Sequence, residues 1–553
     1  MTTAQEFAVT AARKYLQSIV FVDDEIYVPV PAQEVAVDLG TPAAAMRVYA
    51  KPMEPKVVER VAQAPAADGG DDGAKDAGAL YHPKHMVESF ARQRMVCALY
   101  EPAKGFKTDP ASEIFLLCER ADVVILDWDF HGEPGTKVLD LITNLVSAAQ
   151  TTVPHHVRLC AVYTSTPNLV HVASQIFDHL GKQNLAVDAE GDYNLNAGSS
   201  RIVVLGKPST GRPTDQKAAA EVAEADLAER IISEFAKMHE GILPSMAMYG
   251  LASVRTNTKK ILDKFRREMD GAFLAHRGLI LPGDDAFEQI PELLAEEALA
   301  VMIDNRIGHV EATKLAEKAI DAMGIKTAWD TKNGTASAPG VYAIKLLKEG
   351  PEKVKKKVDL NPEVLKLLHD EMDKDHGSAM ERLAALYASR TQYGEERTLE
   401  FGTVVRYRAP VEGSEDPVRY AICLMPLCDC VRLKNGEAYQ FPFWELRTDN
   451  KSAQSKGLVV ELPATEGFIE LFSMGKPRDQ LWLADFKAGA AGMVAAVNNG
   501  ADFQFNGEGK QVQWIAQLKP AHAQRIAQDI GTSFARVGVI EAEWLRLKAD
   551  RQS

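Results

Sequence analysis

The chain has 553 residues, 46% of them hydrophobic and 25% charged, with a formal net charge of −14. This is an ordinary soluble globular composition, long enough for roughly two to four domains. The acidic balance disfavours a broad electrostatic footprint on nucleic acid or anionic lipid.

The opening "MTTAQEFAVTAARKYL" lacks the basic start, apolar middle and cleavage site of a signal peptide and reads as an amphipathic helix. Five short, β-branched apolar runs follow: "SIVFVDDE" at 18–25, "RMVCALYEP" at 94–102, "ADVVILDWD" at 121–129, "VRLCAVYTSTP" at 157–167 and "RIVVLGKPS" at 201–209. Helical patterns such as "HMVESFARQ", "TKVLDLITNLVSAAQ" and "NLVHVASQIFDHLGKQ" lie between them. Such alternation predicts a parallel sheet with helices on both faces. One insertion, at about 28–80, interrupts it with a run rich in Ala, Gly and Asp that has little to bury.

Beyond Lys207 the pattern turns helical, and strand-like runs return from about Glu396 in "TLEFGTVVRYRA", "PVRYAICLMPLCDCVRL" and "GLVVELP" before a terminal helix. The expected domains are therefore 1–240, an α-helical unit at 241–395 and an α+β unit at 396–553. No apolar segment is long enough to span a bilayer. The six scattered cysteines, Cys97, Cys118, Cys160, Cys423, Cys428 and Cys430, suit a reducing compartment, so the expected location is the cytoplasm.

Polar residues gather where the expected strands stop: Asp23, Asp24 and Glu25 after the first, Asp127 and Asp129 after the third, Thr164, Ser165 and Thr166 after the fourth, Lys207 after the fifth. In a parallel sheet these positions share the carboxyl edge, where ligands bind. Carboxylates brought together resist ionising unless a cation shares the site. Mg²⁺, a hard ion that typically takes one or two protein carboxylates, keeps several waters and leaves room for a phosphoryl oxygen, answers that need. Asp127 could then serve as a nucleophile toward phosphorus, with Lys207 and Thr164 binding the remaining phosphoryl oxygens.

"FVDDE", "VVILDWDF", "VYTS" and "LGKP", in this order on strands one, three, four and five, resemble the receiver domain of two-component response regulators. The resemblance covers about residues 15–235 and implies a flavodoxin-like, doubly wound, five-stranded parallel sheet. It implies that Asp127 is the phosphoacceptor, that Asp23 and Asp24 hold Mg²⁺ with the backbone carbonyl of Asp129, and that Thr164 and Lys207 contact the phosphoryl group. Pro208 after that lysine often carries a cis peptide in the family. The implied partners are a histidine-kinase-like protein and other proteins that read the phosphorylated state. The chain departs at Val204, where the family usually has an aromatic switch residue, and in a longer segment between strands four and five. A long early insertion with a "FVDDE" opening also resembles divergent receivers of bacterial conflict and antiviral-defence operons.

Two other readings stay open. A pseudo-receiver would keep the fold and pocket as a scaffold or adaptor without phosphorylation. An aspartate-nucleophile phosphatase of the haloacid-dehalogenase type would use Asp127 and Asp129 as nucleophile and general acid–base, with Thr164 and Lys207 next and Asp284 and Asp285 as late metal ligands. In the receiver and pseudo-receiver readings the chain is a regulator rather than an enzyme with sustained turnover. Cys423, Cys428 and Cys430 are close enough to hold zinc but lack a convincing fourth ligand, so small residues buried on a strand and its turn are the expectation. His155 and His156 mark a loop.

Overall fold

The computed structural model describes residues 3–26, 83–151, 156–279, 289–304, 314, 348–350, 352–353, 378–408, 418–449, 457–463, 466–473, 477–500, 502–507 and 510–534. The insertion expected at about 28–80 and the pair Asp284 and Asp285 lie outside them. The chain divides into two compact units, Met1–Thr256 with Asp304–Ala319, and Asn257–Ile303 with Ile320–Ser553.

In the first unit, strands β1 (Ser18–Val22), β2 (Val96–Tyr100), β3 (Val123–Leu126), β6 (Arg158–Thr164) and β9 (Ser200–Gly206) form the parallel part of a sheet ordered β2-β1-β3-β6-β9-β8-β7. Counting only the parallel strands, the order is 2-1-3-4-5, which reverses direction between β1 and β3 and so opens a crevice there. The expected sheet of five parallel strands is thus extended to seven. The short strands β7 (Asp188–Ala189) and β8 (Asn194–Ala197) form an antiparallel hairpin added along β9.

The central strands read as unbroken apolar runs because helices cover both faces, so neither parity of residue meets water. Val22, Leu126, Val162 and Val204 pack on one face, against helices α3 (Glu113–Glu119), α4 (Thr136–Thr151) and α5 (Leu169–Lys182). Phe21, Ile125, Tyr163 and Leu205 pack on the other, against α1 (Thr3–Tyr15), α2 (Pro83–Arg92), α7 (Glu224–Lys237) and α8 (Ile242–Thr256). The strand starts are fixed as well. Asp122, just before β3, accepts the backbone N–H groups of Gln17 and Ser18 at 2.9 and 3.0 Å and the Ser18 hydroxyl at 3.0 Å.

The second unit corrects the α+β expectation. Strands β10 (Thr403–Arg408), β11 (Val418–Cys423), β12 (Ala438–Leu446), β15 (Leu481–Lys487), β17 (Phe503–Gly507) and β18 (Lys510–Gln517) pair antiparallel, and a β15–β17 contact at Phe486 and Gly507 closes them into a barrel. Val405, Tyr407, Phe441, Phe443, Phe486 and Phe505 fill its interior. Outside, the helix Pro520–Phe534 and the hairpin of β13 (Leu458–Glu461) and β14 (Phe468–Leu471) cover Trp444, Ile422 and Ile515. Cys423 and Cys430 are buried in the barrel core, where burial pushes the Cys430 thiol up to about 12, and Cys428 is exposed. Among the described residues, no helix is long and apolar enough to cross a membrane.

Candidate functional site: an acidic pocket at the carboxyl edge of the sheet

Register brings the site together. Val22 pairs with Leu126, so Asp23 and Asp127 leave β1 and β3 side by side. Thr164 pairs with Gly206, which delivers Lys207 one residue further along. Backbone bonds hold these exits in place: Asp23 N–H donates to Tyr100 O at 3.3 Å, Asp127 N–H to Val22 O at 3.0 Å and Lys207 N–H to Thr164 O at 2.8 Å.

Carboxylate oxygens of Asp23, Asp24 and Asp127 all lie within 4.8 Å of one another, and no other such convergence of His, Cys, Asp or Glu occurs among the described residues. The Lys207 ammonium bridges two of them, 2.8 Å from Asp23 Oδ2 and 3.4 Å from Asp127 Oδ1. Asp23 also accepts the Glu25 N–H at 2.9 Å, and Asp127 accepts the Trp128 N–H at 2.9 Å.

Burial pushes the Asp127 carboxyl up to about 7, and the nearby Asp23 charge adds to the rise while Lys207 and the Trp128 N–H oppose it. Burial works against the Lys207 charge, yet Asp127 and Asp23 together hold its pKa above the ordinary value. One ammonium thus faces three clustered carboxylates. The donor set is all oxygen, anionic and partly open, which fits a hard divalent ion such as Mg²⁺.

Of the other expected members, Thr164 is buried at the same edge, with its hydroxyl 3.0 Å from that of Thr166 and accepting the Thr166 N–H at 3.1 Å. Asp129 begins a small antiparallel ladder between β4 (Asp129–Phe130) and β5 (Glu133–Pro134), and its side chain is exposed. No cis peptide bond occurs among the described residues, Lys207–Pro208 included. Val204 is fully buried in the core, and its N–H donates to Tyr193 O in the segment leading into β8. The edge of the fifth parallel strand, open in a five-stranded sheet, is therefore covered by the added hairpin.

Two members were not anticipated from the sequence. His131, at φ +57° in the β4–β5 turn, donates its backbone N–H to Asp24 Oδ2 at 2.7 Å. Its ring places Nδ1 3.2 Å from the same oxygen and Nε2 2.9 Å from Pro102 O. Arg212 is buried beneath the ends of β6 and β9 and reaches the carbonyls of Thr164, Thr166 and Lys207. The only sequence signal for His131 is the turn-forming "HGEPG", and a lone arginine in a polar loop gives none.

A doubly wound sheet with an acidic pocket and a lysine at its switch point defines a receiver-type α/β domain. Residues 15–212 match the family model described as the response receiver domain. This segment is a response receiver domain of divergent type, which supports response-regulator-like signalling at a coarse level. The match ends at Arg212 and leaves the barrel unit unassigned. Comparison with curated proteins and with solved structures gives no match.

Proposed function

We propose that the receiver accepts a phosphoryl group on Asp127 from a phosphohistidine of a histidine-kinase-like partner, and that the phosphorylated state changes which proteins the chain binds. The observation that supports this most is the convergence of Asp23, Asp24 and Asp127 with the Lys207 ammonium bridging Asp23 and Asp127. A carboxylate oxygen of Asp127 attacks phosphorus, the bond from phosphorus to the histidine nitrogen breaks, and the nitrogen keeps the electron pair. Lys207 leaves its partner carboxylate to meet the negative charge on the incoming phosphoryl oxygens, and the Thr164 hydroxyl offers a further donor there. Asp23, Asp24 and Asp127 would hold Mg²⁺, which supplies charge neutralisation of the transferring group when bound. Slow attack of water on phosphorus returns the carboxylate and inorganic phosphate.

The test is incubation of the full chain with Mg²⁺ and acetyl phosphate, followed by intact-mass analysis. One phosphoryl adduct is expected, absent from Asp127→Asn and absent after chelation. A wild-type chain that takes up no phosphoryl group overturns the reading. The position of Val204, buried where the family carries its aromatic switch, favours a second reading, a pseudo-receiver scaffold. Under that reading partner capture is the same for wild type and Asp127→Asn. The defence setting is carried over from the resemblance, and loss of phage protection with Asp127→Asn would be its signature.

A further inference from the structure

We propose that Arg212 is a positioning residue that sets the Lys207 ammonium and the Thr164 hydroxyl against Asp127; the inference deepens the phosphoacceptor reading and rests on it.

A guanidinium is costly to bury and is retained where its fork of donors fixes several acceptors at once. The Arg212 side chain is fully buried. Nη1 donates to Lys207 O at 2.6 Å and to Glu221 Oε2 at 2.7 Å, and Nη2 donates to Thr164 O at 3.2 Å and Thr166 O at 3.1 Å. Three of these acceptors belong to the two loops that carry the site's ammonium and hydroxyl. The fourth, Glu221, also accepts the Ser209 N–H at 3.3 Å and so binds the far side of the Lys207 loop.

The surroundings are shaped for this side chain. Gly206 leaves room that a Cβ would take from the guanidinium. Val222 N–H donates to Gly206 O at 2.9 Å, which holds the Glu221 segment alongside the end of β9. Arg212 has its Nη1 and Nη2 taken up by backbone carbonyls and by Glu221, and its buried Nε has no partner among the described residues. Its effect on chemistry is therefore indirect. It fixes the main chain from which Lys207 and Thr164 project, and small misplacements of such groups cost rate steeply.

The test uses the full chain with Arg212→Met, which keeps bulk and removes the donors, and Arg212→Lys, which keeps the charge and some of them. Two readouts are taken. One is the labelling rate of Lys207 by an amine-reactive reagent, read by peptide mass. The other is the acetyl phosphate-dependent phosphorylation rate with Mg²⁺. Arg212→Met should label at Lys207 several-fold faster and phosphorylate about tenfold slower or less, at an unchanged half-saturating acetyl phosphate concentration, with Arg212→Lys in between. Wild-type labelling and phosphorylation in a folded Arg212→Met chain would overturn the proposal, and so would global unfolding of both variants, which would make Arg212 a staple of the fold only. If the wild type itself takes up no phosphoryl group, the functional reading fails, and Lys207 labelling alone decides whether Arg212 positions the lysine.

Discussion

Lys207 donates to Asp23 Oδ2 at 2.8 Å across a separation of 184 positions in the chain, and that contact leaves Asp127 the less satisfied of the two carboxylates. The Asp127 pKa, moved from 3.8 to about 7, follows mainly from burial. A carboxyl whose folded pKa lies above its unfolded one binds more protons in the native state between these values. Native stability should therefore fall as pH rises from about 4 to about 7 and stay reduced above that. Asp127→Asn removes the buried charge and should be more stable than wild type by on the order of 2 kcal/mol at pH 8, with a much smaller difference near pH 4. Mg²⁺ should raise the wild-type melting temperature at pH 8 and leave the variant nearly unmoved. Thermal unfolding of both chains at the two pH values, with and without Mg²⁺, decides it; equal pH profiles would refute the assignment of the charge to Asp127.

Asp122 stands five positions before Asp127 at the opposite end of the same strand, and its work is structural. Its three accepted bonds to Gln17 and Ser18 tie β1 to β3 at their starts. Asp122→Ala should cost about 1–2 kcal/mol by leaving partly buried donors unpaired, without changing the Mg²⁺ dependence of phosphorylation in the chain that remains folded. Melting curves and adduct yield measured together separate the two acids. An Asp122→Ala chain as stable as wild type would contradict this account.

Much of the receiver was legible because its strands are buried on both faces. "VVIL" and "SRIVVLG" are apolar runs that end abruptly in charge and "RLCAVYT" is one that ends in hydroxyls, and register then carries Asp23, Asp127 and Lys207 to one edge. The hairpin of β7 and β8 was not legible, since "DA" and "NLNA" carry too few apolar residues to show a period. His131 and Arg212 enter the site through turn geometry and burial, which leave no pattern in neighbouring residues. Barrel closure rests on a pairing between β15 and β17, formed by strands that are neither adjacent in sequence nor marked as partners by local propensity. An α+β unit was the natural reading of scattered strand-like runs followed by a helix.

His131 donates its backbone N–H to Asp24 Oδ2 and places its ring Nδ1 3.2 Å from the same oxygen, so the ring crowds one of the two Asp24 oxygens that a cation could use. His131→Ala keeps the backbone bond and removes the ring. Mg²⁺ should then bind about three- to tenfold more tightly, the equivalent of roughly one hydrogen bond no longer displaced. The ring's other bond, to Pro102 O at 2.9 Å, is lost as well, so the β2-to-α3 loop should exchange its amide hydrogens faster. Calorimetric titration with Mg²⁺ gives the first quantity and hydrogen exchange the second; weaker Mg²⁺ binding would mean that the ring organises Asp24 for the metal rather than competing with it.

Gly135 closes the turn that carries Asp129 and His131, with φ +81° and its N–H donating to Trp128 O at 2.8 Å. A Cβ there would sit 2.6 Å from the Trp128 ring, and an L-residue at that φ is strained in any case. Gly135→Ala should therefore destabilise the domain by about 2–3 kcal/mol and push the indole outward. Trp128 follows Asp127 directly, and its backbone N–H donates to the Asp127 carboxylate at 2.9 Å, so a shift of the Trp128 main chain that accompanies displacement of the ring loosens a bond that favours the ionised nucleophile. The pH midpoint for phosphorylation should shift upward along with the loss of stability. Calorimetry of the variant and its rate of acetyl phosphate uptake between about pH 6 and pH 9 measure the two effects. A variant that is destabilised yet keeps the wild-type pH midpoint would show that Trp128 moves without disturbing Asp127.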